Sequence, residues 1–177
     1  MTTLETWLDD PDSVGAWTAA PDRSTVAFRN RSFWGLAPVK GRFREFSGDA
    51  RLTAAGSVSG RLDIRAASLH TGIGQRDAHL RSADFFDVER FPIIGVEVTA
   101  LRPGRGNSAE LDVTLTVKET AKSLLLPATV TIGPDGAVTV SARTTIDRKQ
   151  FGVTGNLLGM VTSTTTLLAD VVFVKSA

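Results

Sequence analysis

The segment SVSGRLDIRA, residues 57–66, alternates apolar with polar side chains. Val58, Leu62 and Ile64 fall on one face of an extended chain, together with Gly60 and Ala66, and serine, arginine and aspartate occupy the positions between them. This period of two is typical of a β-strand with one face in a hydrophobic core and the other in water. The segment therefore predicts a half-buried strand.

The same alternation recurs along most of the chain. Residues 111–118 and 138–143 show it clearly, and threonine and valine, which favour strands, concentrate in such runs. Turn residues at 55–56, 103–107 and 134–136 link neighbouring runs, and links this short favour antiparallel hairpins. We expect eight or more strands, which lie around Trp17 and over residues 24–30, 39–46, 48–53, 57–66, 93–101, 110–118, 124–132, 137–146 and 162–175.

Many short, evenly spaced antiparallel strands form either a sandwich or an up-and-down barrel. A barrel leaves no strand edge exposed, so we favour a mainly β fold, an extended antiparallel β-barrel with an apolar interior. Eight strands enclose just enough room for their own side chains or for one ligand. Gly60, Ala66 and Ala142 occupy predicted interior positions and fill that space poorly.

Residues 71–88 break the β pattern and predict one or two short helices between strands, near the barrel mouth. Irregular stretches at 30–38 and 152–160 are expected at strand ends. Residues 1–14 form an N-terminal extension, in which the spacing of Leu4 and Trp7 fits either a short amphipathic helix or a mobile segment. Residues 15–177 are expected to form one barrel domain.

Composition excludes several kinds of chemistry. The 177 residues contain no cysteine, no tyrosine and two histidines, which rules out disulfides, thiolate metal sites, a cysteine nucleophile and a three-histidine metal centre. A formal net charge of +1 gives no basic excess for nucleic-acid binding. The sequence shows neither a signal peptide nor a membrane-spanning stretch, so we expect a soluble, cytoplasmic protein with no nucleic-acid partner.

Catalytic and cofactor motifs are weak. The run TGIG at residues 71–74 resembles the start of a dinucleotide fingerprint, but Asp77 stands where its third glycine belongs, so a plain loop is favoured. No GxSxG motif is present to supply a nucleophile for His79. His70 and His79 lack the i, i+4 spacing of a metal pair, and His70 is expected to be exposed. We predict no catalytic residue, no metal and no cofactor.

Charged residues crowd the helical stretch. Arg76 and Asp77 are adjacent, Arg81 follows Asp77 by four residues and Asp84 follows Arg81 by three, and the last two spacings are those of ordinary surface ion pairs on a helix. The same charges, with His79, also suit the mouth of an apolar cavity, where they would meet the polar head of a ligand. The sequence leaves both interpretations open, surface ion pairs and a charged cavity mouth.

Several runs of residues resemble the YceI-like family in order and spacing. They are Gly15-x-Trp17, Ser24-x-Val26-x-Phe28, Val39-x-Gly41-x-Phe43-x-x-Phe46-x-Gly48, Ser68-x-x-Thr71-Gly72, RDAHLRSADFFDV at residues 76–88, Phe91-Pro92 and Arg148-x-x-Phe151-Gly152-Val153. The resemblance implies a lipocalin-like, eight-stranded barrel whose tunnel holds a polyisoprenoid, an isoprenoid quinone or a fatty-acid amide. It also implies a leaderless relative of proteins induced by stress, and a possible homodimer.

The resemblance and the interior pattern together predict a set of ligand-binding residues. They are Trp17, Phe28, Trp34, Phe43, Leu62, Ile64, Arg76, Asp77, His79, Leu80, Phe85, Phe86, Val96, Leu115 and Phe151. Two positions depart from the family pattern. Glu119 replaces a common glycine and is expected to alter a hairpin, and Val96 replaces an aromatic residue and is expected to widen the tunnel or shift its ligand preference.

Three functions follow as hypotheses. The first is non-catalytic binding, storage or transport of a long apolar lipid, whose many buried CH₂ groups contribute about 0.8 kcal/mol each. The second is an enzyme for an apolar substrate, with His79 as general base and Asp77 or Asp84 orienting it. The third is a solidly packed barrel that acts through its surface or as a dimer.

Overall fold

The computed structural model of the protein describes residues 2–32, 37–155 and 162–177. Within these ranges the chain forms two α-helices and eleven β-strands. The helices are α1 (Leu4–Asp9) and α2 (Gly74–Arg81). The strands are β1 (Gly15–Ala19), β2 (Thr25–Ser32), β3 (Ala37–Phe43), β4 (Phe46–Leu52), β5 (Val58–Arg65), β6 (Leu69–His70), β7 (Ile93–Pro103), β8 (Ser108–Val117), β9 (Thr120–Ile132), β10 (Val138–Asp147) and β11 (Thr164–Lys175).

Eight of these strands close into an antiparallel barrel in the order β1-β4-β5-β7-β8-β9-β10-β11. Closure depends on β1, which pairs with β4 on one side and with β11 on the other. Trp17 lies opposite Ala50 of β4 and Lys175 of β11. The predicted eight-stranded barrel is therefore confirmed, and its closure removes the exposed edges that its threonine- and valine-rich strands would otherwise present.

The three remaining strands, β2, β3 and β6, extend the barrel wall at the α2 end, where the strand pairing is interrupted between Phe43 and Phe46. β2 continues along β11 after β1, β3 pairs with β2 and β6, and β6 follows β5. The single strand predicted over residues 39–46 is therefore wrong in detail, since β3 ends at Phe43 and β4 begins at Phe46. The chain changes its neighbour here from β6 to β5, and the amide of Arg44 donates to the carbonyl of Ser68 across the break.

Helix α2 and the turns after it cover this end of the barrel. Arg81 holds the helix against β6, because its guanidinium donates to the carbonyl oxygens of Ala67 (2.9 Å) and Leu69 (2.7 Å). Leu80, Phe85 and Phe86 from the same stretch pack against the barrel core. The break in alternation at residues 71–88 predicted one or two short helices, and α2 lies within that stretch.

Helix α1 covers the opposite end. The side chain of Thr3 caps it by accepting from the amide of Thr6, and Leu4 and Trp7 are buried. They pack with Trp17, Leu52 and other residues from the strand ends farthest from α2. Of the two alternatives for the N-terminal residues, the structure shows the short amphipathic helix.

The hairpin between β8 and β9 is tight. Val117 pairs with Thr120, which leaves Lys118 and Glu119 as the two turn residues. Lys118 takes a left-handed conformation with φ of 56°, and its ammonium group donates to the carbonyl of Gly152 at 3.0 Å. The side chain of Glu119 lies 3.7 Å from Arg90. In the part of the chain that is described, no helix is long and apolar enough to cross a membrane.

Candidate binding cavity

The barrel encloses a cavity of about 730 Å³. Its wall is made almost wholly of apolar side chains from the inward faces of the strands and from α2 and the turns that follow it. Pockets that bind small molecules have volumes of about 300–1,000 Å³ and are mainly apolar, so the cavity is large enough for an extended ligand. The barrel is not packed solid.

Most of the residues predicted to bind a ligand lie in the wall of this cavity. They are Phe28, Phe43, Leu62, Ile64, Arg76, His79, Leu80, Phe85, Phe86, Val96, Leu115 and Phe151. Trp17 does not line it but contributes to a second, smaller cavity. Asp77 does not line it either, and Trp34 lies outside the described residues.

The second cavity has a volume of about 140 Å³ and lies toward the α1 end of the barrel. Trp7 and Trp17 line it, together with Gly60, one of the small interior residues that the sequence singled out. Six residues line both cavities, namely Leu62, Val96, Val113, Leu126, Ala142 and Ala169. The two spaces therefore follow one another along the barrel, and these six residues form the waist between them.

Several wall residues were absent from the predicted set. Val113 and Val117 share a strand face with Leu115, and Leu167 and Ala169 share a face of β11. Strand alternation was a sufficient signal for Val113 and Val117, because every second residue of a barrel strand points inward. It was not sufficient on β11, where residues 167–169 are all apolar and all line the cavity. Ile94, two residues before the predicted Val96 on β7, also lines the cavity.

Three phenylalanines form an aromatic corner at the α2 end. The rings of Phe28 and Phe43 lie 5.6 Å apart, and the ring of Phe86 meets Phe43 edge-on at 6.1 Å. Gly41 faces Phe28 across the β2–β3 pair, and a side chain at Gly41 would overlap the Phe28 ring. The glycine therefore makes room for an aromatic ring of the cavity wall.

Arg76 reaches the cavity from the first turns of α2. Its Nε donates to the hydroxyl oxygen of Thr71 at 2.8 Å, and its Nη2 donates to the Thr71 carbonyl at 3.0 Å. These two bonds fix the plane of the guanidinium. Thr71 stands in the loop between β6 and α2, so the loop and the helix position Arg76 together.

The carboxylate of Asp77 binds the loop before α2 and does not face the cavity. Asp77 is 3% exposed, and its carboxylate accepts from the amide of Thr71 at 3.0 Å and from the Thr71 hydroxyl. Burial alone would raise the pKa of Asp77, but the Thr71 hydroxyl and amide, with the charges of His70 and Arg81, lower that pKa below its ordinary value. The prediction that Asp77 points toward a ligand is not what the structure shows, because its oxygens are turned to the loop.

The two histidines lie in different surroundings. His70, predicted to be exposed, is half-buried in β6 with its Nδ1 3.5 Å from Asp77. His79 lines the cavity, and its Nε2 lies 3.1 Å from Asp84, the second of the two carboxylates considered as its partner. The ring of His79 also meets Phe85 edge-on at 5.1 Å. The Ser82 hydroxyl donates to the His79 carbonyl and not to its ring.

Arg148 supports the cavity from the turn after β10. It is 5% exposed, and it donates to the carbonyl oxygens of Val153 (2.7 Å), Gly155 (2.9 Å) and Thr162 (3.0 Å). Its guanidinium lies 5.6 Å from the centre of the Phe85 ring. Desolvation lowers the pKa of Arg148, and the nearby Asp147 opposes that shift. The run of residues 148–153 contained this arginine, although it was not among the predicted ligand contacts.

The barrel wall is incomplete between β9 and β10. Their ladder ends at Ala128 opposite Ala142, although both strands continue toward the α2 end. The next residue of β9 is Pro127, which has no N–H to donate across the gap. Leu124 and Leu126 line the cavity beside this gap, and Leu125 on the outer face is 62% exposed. Among the described residues, the pairing of β9 with β10 therefore does not reach the α2 end of the barrel.

A closed eight-stranded barrel around a long apolar cavity defines a lipocalin-like class of β-barrel. The chain belongs to the YceI-like family, since the family model for the YceI-like domain matches residues 17–173.

A UPF0312 protein of Pseudomonas putida strain GB-1 is 29% identical over 133 residues, which cover 70% of this chain and 68% of that protein. A UPF0312 protein of Pseudomonas syringae pv. tomato is 28% identical over 100 residues, 55% of this chain and 52% of that protein.

Solved structures share the fold at low sequence identity. BcnA of Burkholderia cenocepacia superposes with a TM-score of 0.78 at 23% identity, over 87% of this chain and 98% of that one. A polyisoprenoid-binding domain of Saccharophagus degradans, implicated in plant cell wall breakdown, superposes with a TM-score of 0.77 at 16% identity, over 90% of this chain and 98% of that one. Both likenesses establish the architecture of the barrel.

Proposed function

We propose that the protein binds one long apolar lipid in its barrel and stores or carries it without chemical change. The observation that carries this proposal is the apolar cavity of about 730 Å³ in the centre of the barrel. Each CH₂ group transferred from water into such a space contributes about 0.8 kcal/mol. A chain of several isoprene units, or a long acyl chain, would offset the cost of association through this contribution alone.

The proposed ligand is a polyisoprenoid, an isoprenoid quinone or a fatty-acid amide. The arrangement of the two spaces supports a chain-like ligand, because the second follows the first along the barrel and six residues line both. The name of the Saccharophagus degradans domain, which shares the fold, supports a polyisoprenoid among these candidates. No metal or redox cofactor enters this proposal.

His79 gives the enzyme hypothesis its best support, since Asp84 lies close enough to orient the imidazole at the cavity wall. A general base also requires an acidic proton on a bound substrate, and the apolar wall does not indicate which group would carry one. The carrier hypothesis uses the whole cavity and needs no reacting group. We therefore favour the carrier hypothesis over the enzyme hypothesis.

The decisive experiment is to identify what the protein carries when it is purified. The protein is expressed in two unrelated bacterial hosts, purified without detergent, and examined by native mass spectrometry and by mass spectrometry of an organic extract. The expected result is one lipid per chain. A matched control is a variant with the waist filled, Ala169→Phe, which should carry less long-chain lipid. If extracts from both hosts contain no lipid and the delipidated protein binds no added long-chain lipid, the proposal is overturned.

A further inference from the structure

The charged groups at the cavity share one sign. The described residues that line it include Arg76, Arg143 and Arg148, but neither an aspartate nor a glutamate. The imidazole of His79 also lines it, and the carboxylate of Asp84 lies 3.1 Å from its Nε2. An apolar cavity bordered by cations disfavours a cationic head group and favours an anionic one, because the local dielectric constant is low and charges are poorly screened. The cavity wall therefore indicates the charge of the ligand's head group as well as the apolar character of its chain.

The three arginines differ in what they do. Arg148 donates to three backbone carbonyls and holds the turn after β10 in place. Arg143 is exposed and lies between the inward-facing Ala142 and Thr144, so it belongs to the outer face of β10. Arg76 is the one that enters the cavity wall from a fixed position on a helix.

Two of the three guanidinium nitrogens of Arg76 are engaged, and both of their partners are uncharged oxygens of Thr71. Its Nη1, which carries two N–H groups, donates to none of the described residues. The neighbouring carboxylate of Asp77 accepts from Thr71 and faces His70, so it forms no ion pair with Arg76. Arg76 thus presents an oriented cation with free donors, and no carboxylate within the described ranges forms an ion pair with it.

We propose that the ligand of this barrel has an anionic head group, a carboxylate or a phosphate, that binds Nη1 of Arg76 while the apolar chain runs toward the waist. This inference rests on the proposed function, that one long apolar lipid is bound, and it narrows the ligand to lipids with an anionic head, which excludes the quinone and the fatty-acid amide because their heads are neutral. Hydrogen bonds between a guanidinium and an anionic oxygen are stronger than those between neutral groups, and the burial of the chain would bring the head to this position. An acyl chain ending in a carboxylate and a polyprenyl chain ending in a phosphate share this chemistry.

The test uses three probes with the same saturated chain: hexadecanoic acid, monohexadecyl phosphate and 1-hexadecanol. Their dissociation constants for the delipidated protein are measured by competition with a bound fluorescent alcohol at pH 8, where the acid head is ionised. We expect at least one anionic probe to bind about tenfold more tightly than the alcohol, which corresponds to about 1.4 kcal/mol. The tighter of the two anions identifies the carboxylate or the phosphate as the source. The advantage should shrink as salt is added.

Variants assign the effect to a residue. In Arg76→Gln the ratio of the affinity for the anionic probe to that for hexadecanol should fall to about one, and Arg76→Lys should retain part of the advantage. Arg29→Gln is the matched control, because Arg29 is exposed on the outer face of β2; it should change neither affinity. If Arg76→Gln does not fold, the comparison of probes on the wild-type protein, its salt dependence and Arg76→Lys still decide the question.

Three outcomes overturn the inference. The first is equal affinity of the wild-type protein for the alcohol and both anions. The second is an Arg76→Gln protein that loses all three probes equally, which indicates a structural role. The third is loss of the anion preference in Arg143→Gln but not in Arg76→Gln. In each of these cases the alcohol still binds the wild-type protein, so the proposed function stands; if no probe binds, the proposed function itself fails.

Discussion

Ala142 of β10 lies directly opposite Ala169 of β11, and both alanines line the main cavity and the smaller one. The neighbouring inward pairs are larger, with Val140 opposite Val171 and Thr144 opposite Leu167. Two small side chains therefore face each other at the waist of the barrel. Since the waist lies between the two spaces, we expect its width to determine how far a ligand chain reaches toward α1.

The substitution Ala169→Phe should shorten the longest chain that binds. The added ring would fill the waist, so ligands confined to the main cavity keep their affinity and longer ones lose about 0.8 kcal/mol for each CH₂ that no longer fits. The measurement is affinity against chain length for a series of linear alcohols. Ala121→Phe, the same change at an exposed residue of β9, is the control and should leave the series unchanged. An equal loss at every chain length would show that the ring disturbs the whole barrel.

Much of this arrangement is predictable from the sequence, because a strand with one buried face repeats every two residues. The alternation in residues 57–66 and 111–117 identifies which side chains face the cavity, and the small interior residues indicate unfilled space. The break between Phe43 and Phe46 was not predictable, because residues 39–46 keep a strand-like composition through it. β6 has only two residues, too few for any periodicity.

The site was predicted less completely than the fold. Asp77 was assigned to the ligand because it lies among the charges of α2, whereas its carboxylate binds Thr71, six residues earlier in the chain. Sequence spacing shows which residues share a helix face but not which neighbouring loop accepts their hydrogen bonds. The waist was missed for a similar reason, since the pairing of Ala142 with Ala169 depends on the register of two strands.

A methyl group at Gly41 should disturb the aromatic corner. In Gly41→Ala the new Cβ would overlap the ring of Phe28, which must turn or force β2 away from β3. Overpacking of this kind costs about 1–3 kcal/mol of unfolding free energy, and a ring that turns inward should also weaken ligand binding. Urea unfolding and probe affinity measure the two effects. Gly74→Ala is the control, because nothing lies near the Cβ it would gain, and it should not destabilise the protein; equal stability of the two variants would contradict the expectation.

Helix α1 should contribute to stability through one contact. The ring of Trp7 meets that of Trp17 at 5.3 Å with an angle of 63° between the planes, and both are buried. Trp7→Ala should lower the unfolding free energy by about 3 kcal/mol, seen as a lower urea midpoint. Glu5→Ala changes an exposed residue of the same helix and should have little effect. A midpoint unchanged by Trp7→Ala would mean that α1 is not docked in solution.

His79→Ala separates carrier from enzyme. A carrier should keep most of its bound lipid, because the cavity wall stays apolar without the imidazole. The bound lipid is quantified by native mass spectrometry of wild-type and variant protein from the same host. An enzyme would instead lose turnover by a factor of about 10² to 10⁴, and its variant would carry an unconverted lipid of different mass. Asp84→Asn, which removes the partner of His79, should match His79→Ala in either case.

Asp77 should make the stability of the protein depend on pH in acid. The pKa of its carboxyl is lower in the folded protein than its ordinary value of 3.8, so the unfolded chain takes up the proton first. The unfolding free energy therefore rises with pH through this region. The stabilisation is complete above about pH 4 and is lost as the pH falls through the lower, folded-state pKa.

The variant Asp77→Asn tests this. It replaces a buried, charged acceptor of the Thr71 hydroxyl and amide, so it should cost about 2 kcal/mol at pH 7. The difference in unfolding free energy between wild type and variant should narrow below pH 4, because the wild-type carboxyl then becomes protonated. Urea unfolding from pH 7 to pH 3 gives both curves. Asp135→Asn is the control: the pKa of Asp135 is also lowered, by the Ala137 amide and Arg23, but at a half-exposed site. A constant difference across the pH range would show that the Asp77 charge contributes nothing and that the loss comes from geometry alone.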